Sequence, residues 1–373
     1  MKILIISTDG KILEKGSAVR SRMLDYGTIC EELSIVVASL DGSRERIKIG
    51  HNVFVYPTAS SNKFFSRLSM LSIGRKIKSD LVTVQDPFET GFLAWLISLK
   101  TGAKLELQVH TDFLNPFFTK QSFLNRFRVF LARFLLPRAD GIRVVSERIK
   151  KSLGTWRLAL GTTPAILPIY VDAKKIMETN PAFDLHEKYP QFKFIVFTAA
   201  RLEKEKNISL ALKAMSNVIC RYSNVGFVIS GAGREEKDLR LKTKNLKLET
   251  NVIFEGEVKD VISRYKTADL YLSTSDYEGY GLSLVEAALS GCPIVTTDVG
   301  IVGEILKDGI SALVCPPGNA DCLASNIARL ITDPELRKKL KRAALAAILE
   351  AVEKDEYSDK IRLSWERALG INK

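Results

Sequence analysis

Four charged side chains in the C-terminal half have types and spacing that suit a diphosphate and a ribose. Glu278 and Glu286 lie in the segment DYEGYGLSLVE, between an apolar run and an amphipathic stretch. Arg201 and Lys206 flank a turn that follows another apolar run. A guanidinium fork and an ammonium suit a diphosphate, and a carboxylate can accept hydrogen bonds from a ribose diol. The pattern therefore indicates a nucleotide site.

Glycines beside these charges let the backbone approach a ligand closely. Gly279 and Gly281 enclose Tyr280, and the amides that open the following helix would face an anion. The segment SGAG at 230–233 matches the start of a dinucleotide fingerprint, but Glu236 occupies the position of its third glycine. We therefore expect backbone near a nucleotide here, with a tight turn before a helix as the alternative.

The other motifs also have structural interpretations. Ser283 and Glu286 have the spacing of a capping box, so the role of Glu286 could be limited to capping the start of its own helix. The charged turn at 200–207 could be an ordinary solvated turn. His110 ends the apolar run 104–109, where a catalytic side chain could point into a cleft. A lone histidine at a strand end is, however, more often structural.

Positioning these residues requires an alternation of strands and helices. The chain has 373 residues, which is longer than a chain that folds around a single hydrophobic core usually is. Short apolar runs alternate with amphipathic stretches, which predicts two α/β domains with parallel sheets. Four prolines mark the break between them, within residues 161–190. Such sheets bind ligands at the carboxyl ends of their strands, so the cleft between the domains is the expected site.

The net charge of +12 is concentrated in the first half. Residues 1–180 contain 27 basic and 16 acidic residues, a net +11, whereas 181–373 contain 28 and 27, a net +1. Residues 61–79 and 120–151 combine Lys and Arg with Phe, which is typical of helices on a membrane surface. In 120–151 we expect the Phe and Leu side chains to pack in the hydrophobic core rather than to contact a membrane. No DNA- or RNA-binding motif occurs, so nucleic acid is not an expected partner.

Composition excludes several other classes of protein. No apolar run approaches the roughly 20 residues that span a bilayer, and the N-terminus lacks a signal-peptide pattern. Five scattered cysteines, an odd number, argue against a disulfide framework and fit a reducing cytosol. With three histidines, no Cys/His cluster and no Asp-x-Asp, neither a metal nor another cofactor is expected.

The second half resembles the nucleotide-sugar-binding domain of the family 4 glycosyltransferases, which have the two-domain GT-B fold. The resemblance extends over nearly all of residues 193–340 and rests on the order and spacing of several motifs. These motifs are residues 201–207, 230–233, 254–258, 268–273, 278–286, 291–295, 303–305, 308–309 and 314–318. The first half is similar more weakly, through residues 86–87, His110 and residues 139–147.

The resemblance implies a role for each matched residue. Arg201 and Lys206 would neutralise the donor diphosphate, and Glu278 would contact hydroxyls of the donor sugar. Glu286 would hold the ribose, and His110 would approach the sugar from the opposing domain. Further donor contacts are implied for Gly279, Tyr280, Gly281 and Leu282 at the sugar and phosphate, Gly256 and Val258 at the base, Gly231, and Gly16 and Ser17 in the first loop.

These observations predict a retaining, metal-independent glycosyltransferase with two Rossmann-like, doubly wound domains facing across a cleft. The acceptor-side domain is expected over 1–168, with the helix 357–373 packed back on it, and the nucleotide-sugar domain over 169–356. A hexose-type sugar would pass from a nucleotide sugar to a lipid-linked or polysaccharide acceptor. The expected location is the cytoplasm, at the inner face of the cell membrane, where the basic half could meet anionic lipid.

Two alternatives stay open from the sequence. The first is another GT-B enzyme, such as a nucleotide-sugar epimerase or a phosphorylase. The second is a non-catalytic protein that binds sugars. A dehydrogenase fits poorly, because no complete G-x-G-x-x-G follows a strand.

Overall fold

A computed structural model describes residues 1–40, 42–155, 160–352 and 357–371. The chain forms two compact units. The N-terminal unit combines Met1–Pro168 with the C-terminal helix, and the C-terminal unit begins at Ile169. This boundary falls within the proline-rich segment 161–190.

The N-terminal unit is built on an eight-stranded sheet in the order β3-β4-β2-β1-β5-β6-β7-β8. All neighbouring strands are parallel except β3 and β4. The central strands are buried along almost their whole length, because helices cover both faces of the sheet. The strands are β1 (Lys2–Ser7), β2 (Glu32–Val37), β3 (Ile47–Lys48), β4 (Val53–Pro57), β5 (Leu81–Val84), β6 (Lys104–Val109), β7 (Gly141–Val144) and β8 (Ala165–Ile166).

Helices between these strands complete the N-terminal unit. They are α1 (Ala18–Gly27), α2 (Lys63–Gly74), α3 (Glu89–Thr101), α4 (Pro116–Gln121), α5 (Phe123–Leu135) and α6 (Glu147–Thr155). The last helix of the chain, α15 (Tyr357–Leu369), packs against β5, β6 and β7. Its Trp365 is 1% exposed and meets Tyr26 edge-on, with ring centroids 6.0 Å apart. The C-terminus of the chain therefore supplies part of the N-terminal core.

The C-terminal unit contains a six-stranded parallel sheet in the order β11-β10-β9-β12-β13-β14. Its strands are β9 (Phe194–Ala199), β10 (Val225–Ser230), β11 (Val252–Gly256), β12 (Leu270–Ser273), β13 (Ile294–Thr297) and β14 (Leu313–Cys315). Its helices are α7 (Ala173–Glu178), α8 (Leu185–Lys188), α9 (Ile208–Ile219), α10 (Glu236–Asn245), α11 (Val261–Thr267), α12 (Leu282–Leu289), α13 (Ala320–Thr332) and α14 (Pro334–Ala351).

The structure adds elements that the sequence pattern did not predict. The short strands β3 and β8 carry too few residues for a periodic signal, and β4 and β14 are short apolar runs flanked in the sequence by polar and turn-forming residues. The two short helices α7 and α8 lie inside the proline-rich segment. Among the described residues, no helix has the length and apolarity needed to cross a bilayer.

One expectation about the cysteines is wrong. Cys315 at the end of β14 and Cys322 in the first turn of α13 form a disulfide, with Cα atoms 5.9 Å apart. An odd, scattered set of cysteines argues against a disulfide framework but leaves room for a local bond. Here a tight connection between strand and helix brings two cysteines together.

Candidate active site

The residues expected to bind the donor follow neighbouring strands of the C-terminal sheet. Because β11, β10, β9 and β12 are adjacent and parallel, their carboxyl ends share one edge. The turn 200–207 follows β9, and the loop 274–281 follows β12. The structure thus brings to this edge the loops that carry Arg201, Lys206, Gly231, Gly256, Val258 and Glu278.

Lys206 and Glu278 form an ion pair across two of these loops. The Lys206 ammonium donates to Glu278 Oε1, which also accepts a hydrogen bond from Ser275 Oγ at 2.7 Å. The two side chains are only 17% and 15% exposed, respectively. A cation and a carboxylate therefore stand together at the sheet edge, where a ligand with both phosphates and hydroxyls could use each of them.

Hydrogen bonds between the two loops hold this pair in place. The Asn207 side-chain amide donates to Asp276 Oδ1 at 2.8 Å, and its own Oδ1 caps α9 through the Leu210 amide. The Asp276 amide donates to the Glu205 carbonyl at 2.8 Å. Burial raises the pKa of Asp276, although the hydrogen bond from Asn207 opposes this shift. The charged turn is thus anchored to its neighbour rather than merely solvated.

Arg201 lies on the same turn but faces solvent. Its side chain is 73% exposed and pairs with Glu205 at 3.0 Å. Together with Gly231 and Val258 it lines a cavity of about 390 Å³, a volume within the range of small-molecule sites. Three of the residues predicted to contact the donor therefore share one concave surface.

Two glycines of the 230–233 segment are required by close packing between loops. A Cβ on Gly231 would lie 1.9 Å from the Ala200 carbonyl oxygen, and one on Gly233 would lie 2.3 Å from that of Leu202. The Gly231 amide donates to the Gly256 carbonyl at 2.7 Å, so this amide is not available to a phosphate. Gly231 therefore forms part of the cavity wall, and its N–H makes a structural hydrogen bond between two loops.

A buried carboxylate missed by sequence reasoning supports the segment 256–258. The Glu255 side chain, 4% exposed at the end of β11, pairs with Lys188 and with Arg264. It also accepts from Tyr189 Oη and Ser230 Oγ, both at 2.9 Å. Burial alone would raise its pKa, but these four donors hold it at about 2. A charged residue inside an apolar strand was the available sequence signal.

The helix after the glycine loop begins differently from the sequence prediction. The N-cap of α12 is Gly281, with φ +90°, and no side chain caps the helix. Ser283 is therefore the second helical residue, and the capping-box interpretation is wrong. Glu286 lies in the second turn rather than the first. Tyr280 is buried and its carbonyl accepts from the Ile301 amide, whereas Leu282 is 40% exposed beside the helix start.

Glu286 is half-buried beneath this helix start. Burial raises its pKa, and the hydroxyl of the fully buried Tyr265 donates to Oε2 at 3.3 Å. Because Glu286 does not cap α12, its carboxylate can accept further hydrogen bonds. This environment is consistent with binding a neutral diol.

In the N-terminal unit, a hydrogen-bond chain orients His110 at the end of β6. Arg143 donates to Gln108 Oε1 at 2.5 Å. Gln108 Nε2 donates to Thr83 Oγ1 at 2.8 Å, and the Thr83 hydroxyl in turn donates to Glu106. This arrangement makes Oε1 an acceptor, so His110 Nε2, 3.1 Å away, must be the donor. Nδ1 is then left as an acceptor.

The electrostatics of the site keep His110 uncharged. Burial, followed by the nearby Arg143 and Arg22, lowers the pKa of His110 to about 3. The imidazole is therefore neutral at physiological pH. It can accept a hydrogen bond from a hydroxyl but cannot act there as a cation.

The first loop of the N-terminal unit contains Gly16 and Ser17. Gly16 is exposed with φ +82°, and Ser17 is the N-cap of α1. The Ser17 hydroxyl accepts from the Arg20 amide at 3.1 Å and donates to the Lys11 carbonyl at 2.6 Å. Its side chain thus performs a structural role in this structure.

Comparison with known proteins shows which proteins this chain is similar to. Residues 184–346 match the family model of the glycosyl transferases group 1. An alpha-monoglucosyldiacylglycerol synthase of Streptococcus pneumoniae is 23% identical over 279 residues, 72% of this chain and 63% of that protein. The C-terminal half of this chain is therefore similar to the family 4 glycosyltransferases. A poly(glycerol-phosphate) alpha-glucosyltransferase of Bacillus subtilis is 31% identical over 156 residues, 42% of this chain and 23% of that protein.

The curated relatives and the solved structures differ in coverage. The chain spans less than two thirds of the length of these two relatives. Anabaena HepE, solved with UDP and glucose, superposes with a TM-score of 0.77 at 19% identity, covering 98% of this chain and 99% of HepE. Sucrose-phosphate synthase from Thermosynechococcus elongatus gives 0.83 at 15% identity and covers 100% of both chains. The chain thus has the predicted GT-B fold.

Proposed function

We propose that this chain is a retaining glycosyltransferase that moves a hexose-type sugar from a nucleoside diphosphate to a membrane-proximal acceptor. The observation that carries the proposal is the Lys206–Glu278 pair, which shares the turn 200–207 with Arg201, a residue that lines a cavity with Gly231 and Val258. This edge of the sheet offers cations, a carboxylate and a concave wall within one set of loops. HepE, which shares the fold, was solved with UDP and glucose.

Each part of the donor has a candidate partner in this site. The base occupies the cavity beside Gly256 and Val258, and the ribose diol binds Glu286. Arg201 and Lys206 bind the diphosphate, so Lys206 exchanges its contact with Glu278 for a phosphate. Glu278 is then available to the sugar hydroxyls.

The proposed reaction exchanges one bond at the anomeric carbon for another on the same face. The bond from C1 to the diphosphate oxygen breaks, and the acceptor oxygen bonds to C1. The acceptor proton passes to the departing diphosphate. Negative charge develops on that diphosphate, so Arg201 and Lys206 lower the barrier by stabilising it. In the N-terminal unit, His110 offers Nδ1 as an acceptor for a ligand hydroxyl.

We propose that this transfer needs no metal ion. In the described residues, no group of three His, Cys, Asp or Glu side chains could hold a metal ion. Two cations at the diphosphate supply the charge that a metal supplies elsewhere. Undiminished turnover in EDTA is the expected result, and activity restored only by Mg²⁺ or Mn²⁺ would contradict it.

The proposed acceptor is lipid-linked or a polysaccharide. The names of the two relatives denote a diacylglycerol product and a poly(glycerol-phosphate) substrate. The basic first half, at +11, suits a phosphate-bearing acceptor or an anionic membrane. We accordingly place the enzyme in the cytoplasm, at the inner face of the cell membrane.

A donor screen followed by product analysis tests the proposal. Thermal shifts with UDP-, GDP- and ADP-sugars should identify one base, and the matching donor should yield a glycoside with unchanged anomeric configuration. Conversion without acceptor would indicate an epimerase, and dependence on free phosphate a phosphorylase. Binding without turnover on any acceptor would indicate a sugar-binding protein. Each of these three results contradicts the proposed transfer.

A further inference from the structure

The surface of α5 carries a row of aromatic side chains that faces away from the protein. Phe123, Phe127 and Phe130 are 83%, 47% and 64% exposed. Asn125 and Ala132, on the opposite side of the helix, are buried. At 3.6 residues per turn the three phenylalanines share one stripe, diametrically opposed to the buried one. The expectation that these phenylalanines serve the core is therefore wrong.

Helix α2 repeats this arrangement. Phe64, Phe65 and Leu68 are 65%, 51% and 48% exposed. The buried residues of the helix, Ser66, Met70 and Gly74, lie on its other side. Two helices of one unit thus expose aromatic stripes that their packing leaves uncovered.

The two stripes belong to one layer of the N-terminal unit. Helix α3 packs against α2 and also against α5, so it lies between them. On α3, Leu99 is 65% exposed, and Lys100 beside it is exposed as well. Clustered exposed apolar side chains of this kind are typical of an interaction site. We name α2, α3 and α5 together the aromatic face.

The charged residues of α2 and α5 are all basic, and the single acid of α3, Glu89, is paired with Arg128 of α5. Residues 61–79 and 113–139 contain no Asp or Glu. Lys63, Arg67 and Arg126 are exposed beside the phenylalanines. A second copy of this face would meet it with like charge, which disfavours self-association. Exposed aromatics among cations suit the headgroup region of an anionic bilayer.

A cavity on the flank of α2 has the same mixed chemistry. It measures about 430 Å³ and is lined by Arg44, Ser61, Phe65, Leu68, Ser69 and Ser72. Its lining combines a guanidinium and hydroxyls with apolar side chains. This combination fits a phosphate-bearing lipid headgroup and the start of its chain.

We propose that the aromatic face docks this enzyme on an anionic lipid bilayer, with its phenylalanines inserted among the headgroups. The inference deepens the proposed function, since it rests on a membrane-proximal acceptor. It also specifies the contact: α2 and α5 lie flat on the bilayer, and both are needed.

Vesicle flotation of the full chain tests the proposal. Vesicles of phosphatidylglycerol and phosphatidylcholine should bind at least tenfold more tightly than phosphatidylcholine alone at low salt. F64S/F65S and F123S/F127S/F130S should each weaken binding about tenfold, and K63E/R67E/R126E should remove the preference for anionic lipid. Matched controls are L241S and I310S, at C-terminal residues 58% and 56% exposed. These should bind as wild type does.

Further readouts separate the possible failures. The altered residues are exposed, so the melting temperature should stay within a few degrees and nucleotide-sugar thermal shifts should persist. Equal binding to neutral vesicles, or unchanged binding by both aromatic variants, would overturn the proposal. A dimer that the aromatic variants dissociate, without vesicle binding, would overturn it in favour of self-association. Vesicle binding without any sugar transfer would leave the docking face standing and refute the proposed function alone.

Discussion

At the scale of single residues, the ion pair of Lys206 with Glu278 carries most of the proposed chemistry. Asn207 and Asp276 join the same two loops independently of this pair, so the loops stay connected when the pair is removed. The ammonium and the carboxylate are paired with each other at the sheet edge. Their removal should therefore affect turnover more than stability.

Lys206→Ala is expected to lower kcat about 100- to 1000-fold, because a fixed charge that stabilises the leaving group has an effect of that size. Steady-state kinetics with the donor identified in the thermal-shift screen measure this change. Lys204→Ala is the matched control, an exposed lysine on the same turn, and should leave kcat unaltered. Full activity in Glu278→Ala, or in Arg201→Ala combined with Lys206→Ala, would refute the site assignment.

His110 should make the stability of the N-terminal unit depend on pH. The pKa of His110 is lowered to about 3 in the folded chain, whereas the unfolded imidazole is protonated near pH 6.5. Between these two pH values a proton therefore binds to the unfolded chain and not to the folded one. Stability is therefore lost as pH falls below about 6.5. Between pH 7 and 5 this amounts to about 2 kcal/mol, because each pH unit well below 6.5 contributes about 1.36 kcal/mol.

The measurement compares wild type with His110→Asn, which cannot titrate. Urea unfolding at a series of pH values should show wild type losing stability relative to the variant as pH falls. A constant difference between the two proteins from pH 7 to 5 would contradict the neutral, buried imidazole.

At the scale of elements, the site depends on how tightly the strand-end loops pack. Gly231→Ala is expected to reduce stability by several kcal/mol and to weaken nucleotide-sugar binding, because its Cβ would collide with the Ala200 carbonyl 1.9 Å away. Gly256→Ala is the control: it has φ +71° but open space around its Cβ. It should lose only about 1 kcal/mol. Thermal unfolding and donor titration of both variants distinguish clash from backbone strain.

The end of β11 depends on the buried carboxylate of Glu255. Glu255→Gln should lower stability by about 3 kcal/mol, because it leaves the buried Arg264 guanidinium without its counter-charge. Glu257→Gln alters an exposed neighbour and should change stability by less than about 0.5 kcal/mol. Equal melting temperatures for the two variants would show that the Glu255 cluster is not structural.

At the scale of the whole molecule, the chain closes the N-terminal core with its last helix. Trp365→Ala should cost about 3–5 kcal/mol in that unit, since the indole is 1% exposed. Leu363→Ala, at a position 39% exposed on the same helix, is the control and should cost little. Limited proteolysis should find the N-terminal unit loosened by the first change only. Unaltered protease resistance in Trp365→Ala would contradict this role for α15.

The sequence by itself determined the order of elements and the places where chemistry could occur. Apolar runs predicted the principal strands, and the charged motifs that follow them had to reach one sheet edge because parallel strands end together. Arg201, Lys206 and Glu278 were found in this way. Local periodicity and chain order contain that information without knowledge of any neighbour.

Only the tertiary structure decided which side of an element is covered and which partner a polar group meets. The spacing of Phe127 and Phe130 along the sequence is the same whether these side chains face a core or a membrane. They are exposed because α5 packs on α3 through a different side of the helix. Glu286 lies in the second turn because Gly281, rather than Ser283, is the cap. The pairing of Cys315 with Cys322 likewise depends on how the chain folds locally. Such facts arise from contacts between elements, which no local pattern specifies.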